Sequence, residues 1–336
     1  MKNIISFAEF TNADLKPTAL IDRYKTLTVE GIQQFFDQPS RVSILVCPAC
    51  QSGNSDSAFQ KMGMDYLLCR ACGTLYVAPR PTDEAIKQFY IHSAARQFWN
   101  QELSKTTKDK RETKILKPRY QWVLDSTQEN MSTAMHIVDV HPNQAVSLIE
   151  LASLEGFTRK TVVMPLFDTA SAETSKQVEV INSPLDQASL SNADVVTLFE
   201  VLDRTSDANT LLKAVNRILK PKGLCFVTAI LTSGFDIQTL WSEAPNLYPP
   251  DRLNVFSLEG IKRLFERNDF ECLEISTPGI LDLENVKQAE QAVMPRFLKY
   301  LFEHRDDAVR KSFQQFLQSS LLSSYGRFLI QKRVKG

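Results

Sequence analysis

Glycine is the residue this chain has too little of: 11 in 336 residues, less than half the usual share of about 7%. Ligand-cradling loops that need bare main chain or positive φ must therefore be built from few permissive positions. Net charge is missing as well, because 39 basic residues balance 39 acidic ones. That balance removes the broad attraction expected of a general nucleic-acid binder and leaves such a role to a local patch. No apolar run approaches the roughly 18 residues of a membrane span, and the opening MKNIISFAEFTNADL carries Asp and Glu without the apolar core of a signal peptide. The expectation is a cytoplasmic protein that contacts no membrane. Histidine is rare too: His92, His136, His141 and His304 are dispersed, and none stands at a metal-ligand spacing from another. Hydrophobic residues at 43% and charged residues at 23% are ordinary globular values, so global disorder is disfavoured.

What is present begins with four cysteines, Cys47-x2-Cys50 and Cys69-x2-Cys72. Two such knuckles can converge on one tetrahedral metal, which predicts a structural zinc site with no open position for catalysis. Two disulfides or unrelated thiols are the alternative, disfavoured in a reducing compartment. The other two cysteines, Cys225 and Cys272, sit in apolar strand-like runs where buried thiols are normal.

The pattern along the chain divides it into a helical lead-in over 1–40, with an amphipathic helix around Thr28 to Phe36, then a zinc-ribbon module over 41–80. In that module QSGNSDS reads as a polar loop. A helical linker follows over 81–130, its helix opened by Pro81-Thr82-Asp83-Glu84. Its stretch KTTKDKRETKILKPR, seven basic residues against two acidic, reads as a solvated helical face, with a contact to phosphate or an acidic partner as the alternative. From 131 to 336 strand and helix signals alternate, which predicts a parallel sheet with crossover helices. Strands are expected at 135–140, 160–166, 178–185, 193–201, LCFVTAIL, FECLEIST and 325–334, with a helical insertion over 284–322. That insertion, with Phe297, Leu301, Phe313 and Phe316, reads as a flank on the sheet or a homodimer surface.

The segments DVVTLFEVLDR, the helix ending LKPKG, LCFVTAI and the last strand after a helical insertion resemble class I S-adenosylmethionine-dependent methyltransferases. Together with LCRACGTLYVAPRPTDEAIKQFY and PPDRLNVFSLEGIKRLFERNDFECLEISTPG, they are similar to the bacterial group whose methyltransferase domain follows a four-cysteine zinc module. The resemblance implies an α/β fold: a Rossmann-like seven-stranded methyltransferase sheet with a small N-terminal zinc ribbon and helical additions, strand seven running antiparallel between strands five and six. It also implies a cofactor over the carboxyl ends of strands one and two, the crevice of open α/β sheets.

At the positions where that family holds its cofactor, this chain departs from the pattern. Asp139 keeps the acid that ends strand one, but the three glycine positions after it are His141, Asn143 and Ala145. Where an acid should take both ribose hydroxyls stands Met164, whose thioether is a weak acceptor. Losing that contact costs about 1–3 kcal/mol, roughly ten- to a hundredfold in affinity. Glu200 remains near the expected site. The family's Glu-His pair, a general base in some relatives, is here Asp203 and Arg204, and Arg252 stands where relatives commonly carry His. Arginine stays protonated and cannot act as a base, although its fork can hold an anion. These residues yield three readings: a methyltransferase-fold scaffold or regulatory subunit with S-adenosylmethionine binding lost or weakened; an active methyltransferase on a small hydroxylated molecule such as a sugar or polyketide intermediate; and recognition of nucleic acid or protein by the ribbon. The last would use Arg41, Lys61, Arg70 and Arg80 with Phe59, Tyr66 and Tyr76, or else those aromatics complete the core of the module.

Overall fold

The computed structural model describes residues 10–141, 148–164, 177–289 and 294–334. The lead-in helix runs Thr18–Phe35, starting ten residues before its densest apolar stretch, because Ile21, Tyr24 and Leu27 bury one side chain per turn beneath a polar outer face. Short strands β1 (Arg41–Val42) and β5 (Arg80–Pro81) pair at the base of the ribbon. Between them β2 (Ser55–Lys61), β3 (Met64–Cys69) and β4 (Leu75–Val77) form an antiparallel meander. The end of the expected polar loop is thus the start of a strand. β2 lies at the edge of its sheet with several side chains in solvent, where polar residues are the rule.

The main sheet is built from β6 (His136–Val140), β7 (Arg159–Val163), β8 (Glu179–Ile181), β9 (Ala193–Phe199), β10 (Leu219–Ile230), β12 (Phe270–Ser276) and β13 (Tyr325–Lys332), with the tiny β11 (Asn254–Val255) diverted elsewhere. Its order is β12-β13-β10-β9-β6-β7-β8, seven strands. β13 runs antiparallel to both neighbours, pairing Phe226 with Leu329 and Ile275 with Phe328. This is the Rossmann-like arrangement the resemblance implied. β6 and β9 are buried along their whole length, which is why HIVDV and ADVVTLF read as continuous runs rather than alternating ones. β10 begins at once where helix Ala208–Ile218 ends, and a register shift between Leu219 and Leu224 absorbs the LKPKG segment.

Among the described residues, the two expected helical stretches are each built from several helices. The charged stretch from Phe98 to Leu124 is a chain of short α and π segments ending in helix Lys117–Asn130. The insertion is three helices, Asp282–Lys287, Arg296–His304 and Asp307–Ser319. Asp306 caps the last by accepting from the Val309 amide at 3.0 Å. Among the described residues no helix is long and apolar enough to cross a membrane.

Ribbon and sheet share their cores. β11 leaves the α/β domain to extend the ribbon sheet, pairing Asn254 with Tyr76. The knuckle residues Cys47, Ala49, Cys69 and Cys72 pack in one cluster with Ile261, Leu264 and Phe265 of helix Leu258–Arg267. Gly260 lets that helix come so close: a Cβ there would collide with Thr74 Oγ1 and stand 2.9 Å from Ser257 Oγ and 3.2 Å from the Ala49 methyl. Gly260→Ala is therefore expected to lower stability by about 1–3 kcal/mol through overpacking, measured by urea unfolding; an unchanged midpoint would show that the helix can back away freely.

A buried polar knot fastens the insertion to the sheet. Asp236 accepts from Asn285 (2.5 Å) and from the Ile237 amide (2.8 Å), while Asp282 accepts from Ser323 (2.6 Å), the Ser324 amide (2.7 Å) and Gln314 (2.7 Å). Burial, with the Asp282 carboxylate nearby, pushes Asp236 up to about 7. An unfolded Asp ionises near 3.9, so between about pH 4 and 7 the folded chain keeps a proton the unfolded chain gives up. Stability from this group is complete below that window and falls as pH rises through it. Asp236→Asn should lose less stability between pH 5 and 8 than the parent, by on the order of 2 kcal/mol. Parallel urea titrations of the two proteins decide it, since every other titrating group is common to both; identical slopes would sink the assignment.

Candidate functional site

The four thiols come together. Both knuckles fold alike: the Gln51 amide donates to the Cys47 carbonyl (2.9 Å) and the Gly73 amide to the Cys69 carbonyl (2.8 Å), with Gln51 and Gly73 both at positive φ. All four Sγ atoms lie within 4.8 Å of one another, Cys47 to Cys72 at 3.7 Å and Cys50 to Cys69 at 3.5 Å. A tetrahedral zinc with Zn–S near 2.3 Å sets its sulfurs about 3.8 Å apart, whereas a disulfide needs about 2.05 Å. The cluster fits a metal and excludes disulfides. Seats for the knuckles come from the α/β domain: Ser257 Oγ donates to the Cys72 carbonyl, Arg263 to the Ala71 carbonyl (3.1 Å), Arg267 to the Ala49 carbonyl (2.5 Å) and Asn209 to the Pro48 carbonyl (3.2 Å).

At the carboxyl end of β6, Asp139 is 1% exposed and its carboxylate is fully engaged. One oxygen accepts from Tyr120 (2.6 Å) and faces His141 Nε2 at 2.8 Å; the other accepts from Thr197 of β9. Burial alone would push this carboxyl up, but His141, Thr197 and Tyr120 hold it below the usual range. His141 is buried, its amide donating to the Val163 carbonyl (2.9 Å). Met164 is buried as well, its amide donating to Ile181 (2.9 Å), so a thioether closes the end of β7 where a ribose acid was the family expectation. Asn143 and Ala145 lie outside the described residues.

Beyond β9 the chain turns through Glu200, which adopts φ 56° with its amide donating to the Thr228 carbonyl (2.9 Å) and Oγ1 (3.0 Å) of β10. This left-handed turn, unusual for a non-glycine residue, accompanies a carboxylate held by Arg119 (2.5 Å) and Arg252 (3.0 Å), with Arg204 3.8 Å away. Burial opposes ionisation, yet the three guanidinium groups hold Glu200 well below the ordinary Glu range. Arg119 is also fixed by the Tyr325 hydroxyl (2.9 Å) and lies against the Phe199 and Tyr325 rings. Arg204 donates to Asp251 (3.0 Å), which also accepts from Tyr24 (3.0 Å) and Tyr90 (2.7 Å). Asp203 accepts from the Ile230 amide (3.1 Å) and stands 3.6 Å from Arg252; burial pushes it up to about 7 against the pull of that arginine.

The sequence thus named Asp139, His141, Met164, Glu200, Asp203, Arg204 and Arg252, and the fold ranges them along the carboxyl ends of β6, β7, β9 and β10. It missed Arg119, Tyr120, Thr197, Asp251 and Tyr325. Only the KPRY tetrapeptide offered a signal, an aromatic beside the last arginine of a charged run.

The ribbon's proposed nucleic-acid face is mostly interior. Tyr66 and Tyr76 are buried, the Arg80 guanidinium donates to the Ser206 carbonyl and to Asn254 (2.9 Å), and Phe59 packs on Tyr66 and Trp241. Lys61 donates to the carbonyls of Ser242 and Ala244, while Arg70 is paired with Asp56 at 2.5 Å. These aromatics complete a core rather than a base-stacking platform.

Residues 118–275 match the family model described as a methyltransferase domain. Among solved structures the chain is similar to the StiE O-methyltransferase, residues 961–1257 (TM-score 0.42, 15% identity, 67% of this chain and 77% of that one). It is also similar to the O-methyltransferase of a trans-AT PKS multienzyme from Brevibacillus brevis in complex with S-adenosyl-L-homocysteine (TM-score 0.42, 13% identity, 68% and 77%), and to the YcgJ protein of Bacillus subtilis (TM-score 0.40, 13% identity, 65% and 99%). No curated protein matches.

Proposed function

We propose that this chain, which carries a methyltransferase domain over residues 118–275, binds S-adenosylmethionine weakly or not at all and serves as a scaffold or regulatory subunit. The observation that carries the reading is the state of Asp139: both carboxylate oxygens are taken by Tyr120, His141 and Thr197 in a buried setting. A nucleoside cofactor approaching this rim would have to displace those partners, each a charge-assisted contact of about 1.5–3 kcal/mol. It would then find a buried thioether at Met164 in place of a carboxylate. The engaged carboxylate of Asp139 and the thioether of Met164 both weigh against the cofactor at this rim.

A second reading, methyl transfer to a small hydroxylated molecule, draws support from the intact strand order and from Glu200 and Arg204, which keep some solvent contact at 25% and 17% side-chain exposure. Calorimetric titration with S-adenosylmethionine and S-adenosylhomocysteine separates the two. Dissociation constants beyond several hundred micromolar are expected, and binding in the low micromolar range for either would reject the scaffold reading. Incubation with labelled methyl donor and cell extract supplies the complementary test, since a labelled product requires a bound donor.

A further inference from the structure

Four arginines, Arg111, Arg119, Arg204 and Arg252, gather above the carboxyl ends of β9 and β10 around three acids. Arg119, Arg204 and Arg252 surround Glu200, Asp203 and Asp251 at the distances given above. Arg96 and Arg111, from the helical cover, both lie against the Trp99 ring at 5.7 and 5.1 Å. Arg111 is close enough to feel Glu200, Arg204 and Arg119, and Arg96 to act on Asp251. The fixed charges do not balance. These four guanidinium groups remain protonated at any working pH, Glu200 and Asp251 are held ionised, and Asp203 is pushed up to about 7. The excess is at least one positive charge where burial makes an unanswered charge expensive.

Unfilled donors accompany the excess. The Nε atoms of Arg204 and Arg252 are buried without a hydrogen-bond partner, and Arg252 is 4% exposed. Arg204 and Glu200 keep side-chain exposures of 17% and 25%, so the cluster reaches solvent there. The location, outside the carboxyl ends of the central strands, is where open α/β sheets take their ligands.

We propose that this arginine cluster binds a small oxyanion, a phosphate monoester or a carboxylate, through the forks of Arg204 and Arg252 with Arg111 and Arg119 supplying charge. Forked guanidinium contacts match both head groups, and a bound anion would restore the balance that Asp203 cannot supply. The site stands whether or not the rim at Asp139 admits a nucleoside, because the two share no ligating residue.

Calorimetry on the full chain, with inorganic phosphate and separately with succinate in chloride buffer at matched ionic strength, tests it. A saturable one-to-one heat from at least one probe is expected, weakened at least about tenfold in Arg204→Gln through loss of a charge-assisted fork. Phosphate alone assigns the monoester class and succinate alone the carboxylate class. If Arg204→Gln does not fold, Arg111→Gln at the edge of the cluster is expected to weaken binding in the same direction. No saturable heat from either probe, or binding unchanged in the folded variant, overturns the proposal; S-adenosylmethionine binding leaves it untouched and bears only on the scaffold reading.

Discussion

Stripping the metal from this chain is expected to unfold more than the ribbon. Structural zinc sites bind with an apparent 10–16 kcal/mol at neutral pH, comparable with the entire 5–15 kcal/mol stability of an ordinary protein. Here the thiols sit inside the hydrophobic cluster that also holds the underside of the main sheet, among Ile261, Leu264, Phe265 and Phe328. Removing zinc leaves four cysteines without their common partner. It also loosens the knuckle carbonyls that seat Ser257, Arg263, Arg267 and Asn209. Metal analysis should give one zinc per chain. Mercurial release followed by chelation, or Cys69→Ser, should abolish cooperative unfolding of the whole chain and not only of residues 41–80. A metal-free protein with an unchanged urea midpoint would show that the ribbon is an independent appendage.

That coupling was partly legible in the residues. Cys47, Cys50, Cys69 and Cys72 gave the metal site because ligand spacing is a local property, and knuckle geometry follows from two short turns. Strands β6 and β9 were legible because they are buried on both faces, and such strands advertise themselves as unbroken apolar runs; the seven-stranded order was implied only by the family resemblance. The clasp between ribbon and sheet was hidden. It depends on Gly260 and on the two residues of β11 crossing to β4, and a two-residue strand leaves no period to read. The arginine cluster was hidden for a different reason. Arg111 and Arg119 belong to a run with seven basic residues, and a charge run usually marks a wet surface; tertiary contacts with the Leu15 carbonyl, Tyr325 and Glu200 draw these two inward while Lys105, Lys108 and Lys110 stay in solvent. Asp251 precedes Arg252 in PPDRLN but could be recognised as a partner of Arg204 only once the chain had folded over it.

Glu200 is the second position where a single change should be costly. It links three parts of the protein: Arg119 from helix Lys117–Asn130, Arg252 from the segment entering β11, and β10 through its amide on Thr228. Glu200→Gln preserves size and one acceptor but removes the charge that answers two buried guanidinium groups, and breaking one partner of a buried ion pair costs about 3–5 kcal/mol. The expected result is a loss in that range in urea unfolding, with the neutral contributions of the turn retained. Pairing the change with Arg119→Met separates ion pairing from packing. If the cost is an uncompensated charge, the double variant should recover part of the stability lost by Glu200→Gln alone, because apolar replacement of a buried pair is often neutral or better. Strict additivity would mean that the two side chains act independently. In the acid limb the same carboxylate sets the sign: its folded pKa is depressed, so its contribution is present above the unfolded Glu value near 4.3 and is lost as pH falls toward the folded one. The parent should therefore lose stability on acidification below about pH 4.5 more steeply than Glu200→Gln, and parallel acid titrations monitored by circular dichroism would reveal equal slopes if Glu200 were not the anchor of the cluster.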